Sequence, residues 1–143
     1  MAHVFISYSS KDEPLAIAIA DLLESRDIHC WIACRNLPAG SNFSSVIPDA
    51  IRESPIFLLL LTQNSVASMD VLNELTLACR HRKNSNRLII PIQFEELYLP
   101  NDFDYLLATI QIHPFSFEED LCAIELIGTI RKHLSPRTDM DNL

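Results

Sequence analysis

Glycine is scarce in this sequence: only two residues of that type, Gly40 and Gly128, occur in a chain of 143. A Rossmann phosphate loop needs three closely spaced glycines, and a Walker loop needs two before a lysine. A serine hydrolase elbow needs two glycines that flank a serine. None of these motifs is present in the sequence, so a nucleotide, if one binds, must be held in another way.

Basic residues are also few, because 11 Lys and Arg stand against 19 Asp and Glu and give a net charge of −8. Phosphate neutralisation needs a basic face, so nucleic acid is not expected as a partner. An anionic membrane surface would repel the chain. The longest apolar run, residues 56–61, is too short to span a bilayer, and no leader is visible at the N-terminus. These features predict a cytoplasmic protein without membrane contact.

The four cysteines form no CxxC pair, whereas zinc-binding thiolates usually come in such pairs. We therefore expect no metal site. The apolar neighbours of the cysteines instead predict reduced thiols in the core, as in an intracellular protein. The cysteines are Cys30, Cys34, Cys79 and Cys122. The five histidines are scattered along the chain, and none is favoured as a catalytic base.

Short apolar segments alternate with longer amphipathic ones along the chain. The apolar segments predict strands at residues 4–8, 28–32, 56–61 and 88–92, with a weaker fifth strand at 109–113. Helical periodicity covers residues 11–25, 43–53, 70–81 and 117–133, and residues 94–105 indicate a loop that ends in a short helical turn. Ser10, with Glu13 in a capping box, and Asn42 are the predicted caps of the first two helices.

Five strands separated by helices predict an α/β fold of the flavodoxin-like type. Its three-layer sandwich has a five-stranded parallel sheet with helices on both faces. A phosphoaspartate receiver domain shares this architecture but needs paired acids after the first strand, where this chain has Ser7, Tyr8 and Ser9. We expect one domain over residues 1–134 and a linker or disordered tail over residues 135–143.

The segment 30–43, CWIACRNLPAGSNF, carries the only tryptophan, Trp31, and one of the two glycines. Loops that follow strands are where open α/β sheets bind ligands. Gly40 indicates a backbone that bends left-handed or lies close to another group. The pattern therefore predicts a shaped loop at a ligand site, with Trp31 in the core because it lies within a strand.

Four motifs in order resemble the Toll/interleukin-1 receptor (TIR) domain family, and together they cover about residues 1–134. VFISYS at 4–9 resembles the opening strand of that family, and CWI at 30–32 with RNLPAG at 35–40 resembles its second strand and BB loop. SPIFL at 54–58 with TQNS at 62–65 resembles the third strand and its exit. SMDVLNEL at 68–75 resembles the helix that carries the family's catalytic glutamate. The compact form is more similar to bacterial members than to animal receptor tails.

The resemblance implies an enzyme that cleaves the nicotinamide–ribose bond of NAD⁺, with Glu74 as the catalytic residue. NAD⁺ is then the substrate, no cofactor is implied, and the product is ADP-ribose or a cyclic isomer. The residues agree, because one carboxylate can stabilise the oxocarbenium-like transition state that forms as nicotinamide leaves. The spacing of apolar residues around Glu74 predicts a place at the boundary of core and cleft. The alternative is an exposed glutamate favoured by the helix dipole. The resemblance also implies a setting in bacterial, anti-phage immunity.

Further substrate-binding residues are implied near Glu74. Tyr8, Ser9 and Ser10 are expected to line the cleft, or else to form a turn and a helix cap. Arg35 is expected to contact a phosphate or to pair with a surface carboxylate. The other candidates are Asn36, Leu37 and Gly40, which would shape the loop over the substrate, Phe43, which would contact a base or join the core, and Asp70.

Two features depart from the family's pattern. The loop reads Cys34-Arg35-Asn36-Leu37 where bacterial relatives often have Pro-Arg-Asp-Ile, which would alter the stiffness of the loop. Asp70 stands where many enzymatic members carry a tryptophan four residues before the catalytic glutamate, which would remove a stacking surface.

The resemblance implies self-association as well, with residues 34–42 as the contact and an active site completed between two protomers. Further domains of a longer chain are another expected partner. A signalling adaptor that acts only by TIR–TIR contact is the main alternative to an enzyme, and a nucleotide sensor without turnover is a third. Glu74→Gln separates the enzyme from the adaptor, because a pure adaptor should function equally with either residue.

Overall fold

A computed structural model describes residues 2–82 and 85–135 of the chain. Its strands are β1 (Val4–Ser7), β2 (Cys30–Trp31), β3 (Ile56–Leu61), β4 (Leu88–Gln93) and β5 (His113–Pro114). They form one sheet in the order β2-β1-β3-β4-β5, and each neighbouring pair is parallel. The helices are α1 (Glu13–Glu24), α2 (Ala33–Asn36), α3 (Phe43–Glu53), α4 (Met69–Arg82), α5 (Asn101–Leu107) and α6 (Asp120–Leu134).

Helices cover both faces of this sheet, because side chains alternate along the strands. Leu58 and Leu60 of β3 pack in a cluster with α1 and α6, whereas Phe57, Leu59 and Leu61 pack in a second cluster with α3, α4 and α5. All six residues of β3 are buried, as expected for a central parallel strand. The predicted α/β sandwich with a five-stranded parallel sheet is confirmed.

The entry into α1 differs from the predicted capping box. Ser9, rather than Ser10, accepts the hydrogen bond at the start of a 3-10 turn (Ser10–Asp12), and α1 begins at Glu13. The predicted capping box is wrong because the cap position of α1 is Asp12 rather than Ser10, and the Asp12 side chain bonds to other groups. Its carboxylate accepts hydrogen bonds from the Thr62 hydroxyl at 2.6 Å and from the Asn64 amide at 2.8 Å. These bonds join the start of α1 to the exit from β3.

Helix α3 begins as its sequence predicts. Asn42 Oδ1 accepts a hydrogen bond from the Ser44 N–H at 3.0 Å, so the predicted cap is confirmed. The helix continues through Pro48 to Glu53 without interruption. Ala50 and Ile51 anchor it against the sheet, because both side chains are buried.

The C-terminal third departs most from the prediction. Helix α5 lies at the end of a segment predicted as a loop that ends in a short helical turn, and it is longer than that turn, since Phe103 and Leu107, one turn apart, are both buried. The fifth strand is later and shorter than predicted, because only His113 and Pro114 pair with β4. Helix α6 begins at Asp120 rather than at 117, because Phe117 joins a cluster of rings with Phe94 and Phe115.

The cysteines are all free thiols, but they do not share one environment. Cys30 is buried, and burial raises its pKa to about 12. Cys34 is exposed on the short helix α2, which has no buried residue, so its predicted place in the core is wrong. Within residues 2–82 and 85–135, no helix combines the length and apolar character needed to cross a membrane. Apart from Ser135, the predicted tail lies outside the described residues.

Candidate active site

A cleft of about 560 Å³ opens beside the carboxyl end of β1, near the point where the order of strands reverses. One part of its lining is aromatic and apolar and comes from β1, β2 and α3. The other part is more polar and comes from the start of α4. The lining residues are Phe5, Ile6, Tyr8, Ser10, Trp31, Ala33, Phe43, Ser44, Ile47 and Pro48 in the first part, and Ser68, Asp70, Asn73, Glu74 and Leu77 in the second.

Glu74 lies in the second turn of α4, at the boundary between the core and the cleft. Val71, Leu75 and Ala78 form the buried face of this helix, and Glu74 lies at the edge of that face, where it is partly buried. The hydroxyl of Ser7, at the end of β1, donates a hydrogen bond of 2.7 Å to Glu74 Oε1. Because Ser7 is fully buried in the sheet, it fixes one carboxylate oxygen of a residue that faces the cleft.

The electrostatic surroundings of Glu74 favour its protonated form. Burial raises the pKa of Glu74 from 4.5 to about 7; the hydrogen bond from Ser7 opposes that rise, and the negative charge of Asp70 adds to it. Asp70 lies one turn earlier on the same helix, a spacing that places side chains on one face. At neutral pH the protonated and the ionised forms of Glu74 therefore coexist. A cation bound nearby would favour the ionised form.

Aromatic rings form a stack that runs from the core to the cleft. Phe5 lies between Phe57 and Trp31, with ring centroids 5.5 Å and 5.0 Å away and nearly parallel planes. Trp31 is half-buried and lines the cleft, so it packs on the core as predicted and also presents a surface to a ligand. Phe43 lines the cleft with 64% of its side chain exposed, so the core alternative for Phe43 is wrong.

Tyr8 connects the end of β1 to α2. Its hydroxyl accepts a hydrogen bond from the backbone N–H of Cys34 at 3.1 Å. Burial, together with the contact to Cys34, raises the pKa of Tyr8 above its usual value. The phenol is therefore neutral throughout the physiological range and serves as a fixed side of the cleft.

Comparison with known proteins identifies the family. A family model described as the TIR domain matches residues 4–125. The chain belongs to the TIR domain family. A comparison of this TIR domain with curated proteins finds no significant match.

Solved structures resemble this TIR domain over most of its length. The TIR domain of the Toll-related receptor TRR-2 of Hydra magnipapillata has a TM-score of 0.77 at 20% identity, over 92% of this chain and 99% of that one. A metazoan TIR-STING receptor from C. gigas has a TM-score of 0.71 at 26% identity, over 98% of this chain and 42% of that longer one. The CMP N-glycosidase BcmB of Clostridium botulinum has a TM-score of 0.58 at 14% identity, over 87% and 97%. The first and third of these likenesses show the shared fold alone.

The structure brings five of the predicted site residues of this TIR domain together and leaves five outside the cleft lining. The five that line the cleft are Tyr8, Ser10, Phe43, Asp70 and Glu74. Ser9 is used as a helix cap instead, which was its predicted alternative. Within the described part of the chain, no three His, Cys, Asp or Glu side chains are grouped to hold a metal ion.

The segment after β2 is a helical turn, α2, rather than an open loop, and it directs its predicted site residues elsewhere. Arg35 pairs with Asp21 at 2.8 Å and with Glu24 at 3.3 Å on α1, which is the surface-pair alternative. Its expected contact with a substrate phosphate stays a prediction.

The other three predicted residues of this segment have local roles in its backbone conformation. Asn36 Oδ1 accepts a hydrogen bond from the Ile32 N–H at 2.9 Å and closes the turn. Leu37 ends α2. Gly40 has a φ of 75°, which explains the glycine through backbone conformation, since a Cβ there would meet nothing within 4 Å. None of the three reaches the cleft.

Two important residues of the site were absent from the predicted set. Ser7 reads as the last residue of a buried strand, and its partner Glu74 is 67 positions away in the sequence, so no local signal joins them. Asn73 lines the cleft beside Glu74, and its place on the helix next to the glutamate could have indicated it.

Proposed function

We propose that this TIR domain cleaves the bond between nicotinamide and ribose in NAD⁺, with Glu74 as the catalytic carboxylate. The observation that carries the proposal is a partly buried carboxylate in an aromatic-lined cleft, held by the Ser7 hydroxyl at 2.7 Å. The resemblance to NAD⁺-cleaving TIR domains supports it. The likeness of fold to a CMP N-glycosidase also supports it, because that protein is named for cleavage of an N-glycosidic bond.

In the proposed reaction the C1′–N bond breaks and its electron pair moves to the ring nitrogen. The pyridinium becomes neutral nicotinamide, so the leaving group needs no proton. Positive charge develops on C1′ and the ribose ring oxygen, and the Glu74 carboxylate stabilises that charge. Attack by water forms the new C1′–O bond, releases a proton and gives ADP-ribose. Attack by an adenine nitrogen gives a cyclic isomer instead.

The other cleft residues have supporting roles in this proposal. Ser7 is a positioning residue, because its hydrogen bond orients the carboxylate without reaching the substrate. Trp31 and Phe43 would supply the stacking surface for nicotinamide. They compensate for Asp70, which stands where many enzymatic members of the family carry a tryptophan.

Self-association is part of the proposal. Residues 34–42 are mostly exposed, and the resemblance implies that this loop meets a neighbouring copy. Activity should therefore rise more steeply than in proportion to protein concentration. A role in bacterial immunity, in the cytoplasm, follows from the same resemblance.

The test is nicotinamide release from NAD⁺ by concentrated protein, with and without a crowding agent, followed by chromatography. The unaltered chain is compared with Glu74→Gln and with Glu96→Gln, a control that removes one charge from an exposed loop position. We expect release by the unaltered chain and by the control, and loss of at least a hundredfold in Glu74→Gln.

Two other results would contradict the proposed activity or the assignment of Glu74. No release at any concentration, with self-association intact in both Glu variants, would favour the adaptor. Release that survives Glu74→Gln would leave the activity but refute the assignment of Glu74.

A further inference from the structure

The cleft has negative charge and, among the described residues, no positive charge. Its fifteen lining residues include Asp70 and Glu74 but no lysine, arginine or histidine. Arg35 is held by two carboxylates of α1. Lys11 follows the lining residue Ser10 but is exposed and is not part of the lining. A diphosphate inside this cleft would meet like charge without a cationic side chain to offset it.

Helix starts are the other common phosphate sites, and two of them face the cleft. Both are capped by their own residues. At α3 the Ser44 N–H donates to Asn42 Oδ1 at 3.0 Å. At α4 the Val71 N–H donates to Ser68 Oγ at 3.3 Å. Asp70 lies in the first turn of α4 and adds a negative charge where a phosphate would otherwise sit.

A flat cation fits the same surroundings well. Trp31, Phe43 and Tyr8 offer aromatic surface along one part of the lining, and aromatic faces attract cations. Asp70 and Glu74 supply two carboxylates on one face of α4, with roughly 5–6 Å between Cβ atoms at this spacing. Only Glu74 is held by Ser7, so Asp70 is free of that restraint and exposed to a ligand.

We propose that the cleft recognises the N-ribosylpyridinium cation itself, that Asp70 selects for its positive charge, and that the diphosphate has no site within the cleft. This inference rests on the proposed cleavage of NAD⁺ by Glu74 and deepens it by naming the substrate class. That class is pyridinium ribosides, for which the adenylate half is dispensable. The bond that breaks and the path of its electrons are the same as for NAD⁺.

The experiment compares nicotinamide release from NAD⁺ and from nicotinamide riboside at pH 8.5, where Glu74 is ionised. The variants are Asp70→Asn and a matched control, Asp104→Asn, which removes the same charge from an exposed position on α5. We expect kcat/KM for the riboside to lie within tenfold of the value for NAD⁺. Asp70→Asn should lower the riboside value at least threefold, mainly through a higher KM, and Asp104→Asn should leave it unchanged.

A second readout separates charge selection from a structural role of Asp70. Because Asp70 contributes to the raised pKa of Glu74, Asp70→Asn should move the pH midpoint of kcat/KM to lower pH, whereas Asp70→Glu, which keeps the charge, should leave it in place. Loosening of the helix would instead expose Glu74 and lower its pKa in both variants.

The outcomes distinguish the two proposals. If NAD⁺ is cleaved but the riboside is more than tenfold poorer, or if both Asp variants behave alike, the present inference is overturned and the proposed cleavage of NAD⁺ stands. If neither compound is cleaved, the proposed function fails, and the present inference is tested by whether the riboside binds in the cleft. Trp31 is the only tryptophan and lines the cleft, so quenching of its fluorescence by the riboside, weakened at least threefold in Asp70→Asn, would support it. Absence of quenching would overturn it.

Discussion

Glu74→Gln should stabilise the protein at alkaline pH, although we expect it to abolish activity. The pKa of Glu74 rises from 4.5 to about 7 on folding, chiefly through burial. Between those values the folded chain binds more protons than the unfolded chain, so stability falls as pH rises through this window. Glutamine is never ionised, and its amide oxygen can still accept the hydrogen bond from Ser7.

The size of the effect follows from the pKa difference. One pKa unit corresponds to about 1.4 kcal/mol. With the two pKa values above, ionisation of Glu74 lowers the free energy of unfolding by roughly 2–3 kcal/mol between pH 5 and pH 8. The variant should lack this decline and should be more stable than the unaltered chain at pH 8 by roughly 2–3 kcal/mol.

Urea unfolding at pH 5, 6, 7 and 8, followed by the fluorescence of Trp31, measures both quantities. Glu96→Gln is the matched control, because it makes the same chemical change at an exposed position and should shift stability by less than about 0.5 kcal/mol at every pH. The reasoning is refuted if Glu74→Gln declines with pH as steeply as the unaltered chain, or if it is the less stable of the two at pH 8.

Three further predictions concern residues around the cleft. Ser7→Ala removes the hydrogen bond that lowers the pKa of Glu74, so the midpoint of the kcat/KM profile should move to higher pH; an unmoved midpoint would contradict the contact. Asn42→Ala should cost about 1 kcal/mol in urea unfolding through loss of the helix cap, and a neutral result would contradict the cap. Arg35→Ala should leave the free energy of unfolding almost unchanged because its ion pairs lie at the surface, and it should leave the KM for NAD⁺ unchanged, whereas a raised KM would place Arg35 at the substrate.

The central elements of the fold could be predicted because their signals are local. Residues 56–61 are apolar throughout and form the buried strand β3, and Asn42 before an amphipathic segment forms the cap of α3. The fifth strand was misplaced because β5 pairs through only two residues, which leaves almost no periodicity to detect. Helix α5 was predicted only as a short turn because it has only two buried residues in seven positions.

The candidate site could likewise be predicted where its signals are local, but not where they depend on the packing of distant elements. The place of Glu74 at the edge of a buried helix face follows from the spacing of Val71, Leu75 and Ala78. Its contact with Ser7 depends on how β1 and α4 pack across the sheet, so the sequence could not indicate it. The partners of Arg35 could not be predicted for a related reason, since its partner carboxylates lie on α1 and a local pattern does not reveal which charge a long side chain will meet.

The central claim is that the Glu74 carboxylate breaks the nicotinamide–ribose bond, and the pH dependence of nicotinamide release from NAD⁺ tests it most directly. Because kcat/KM reports the free enzyme, it should rise with pH, with a midpoint near the Glu74 pKa of about 7, and then level off. Glu74→Gln should remain at background at every pH while it stays folded. Release by that variant at the rate of the unaltered chain, with the same dependence on pH, would contradict the account.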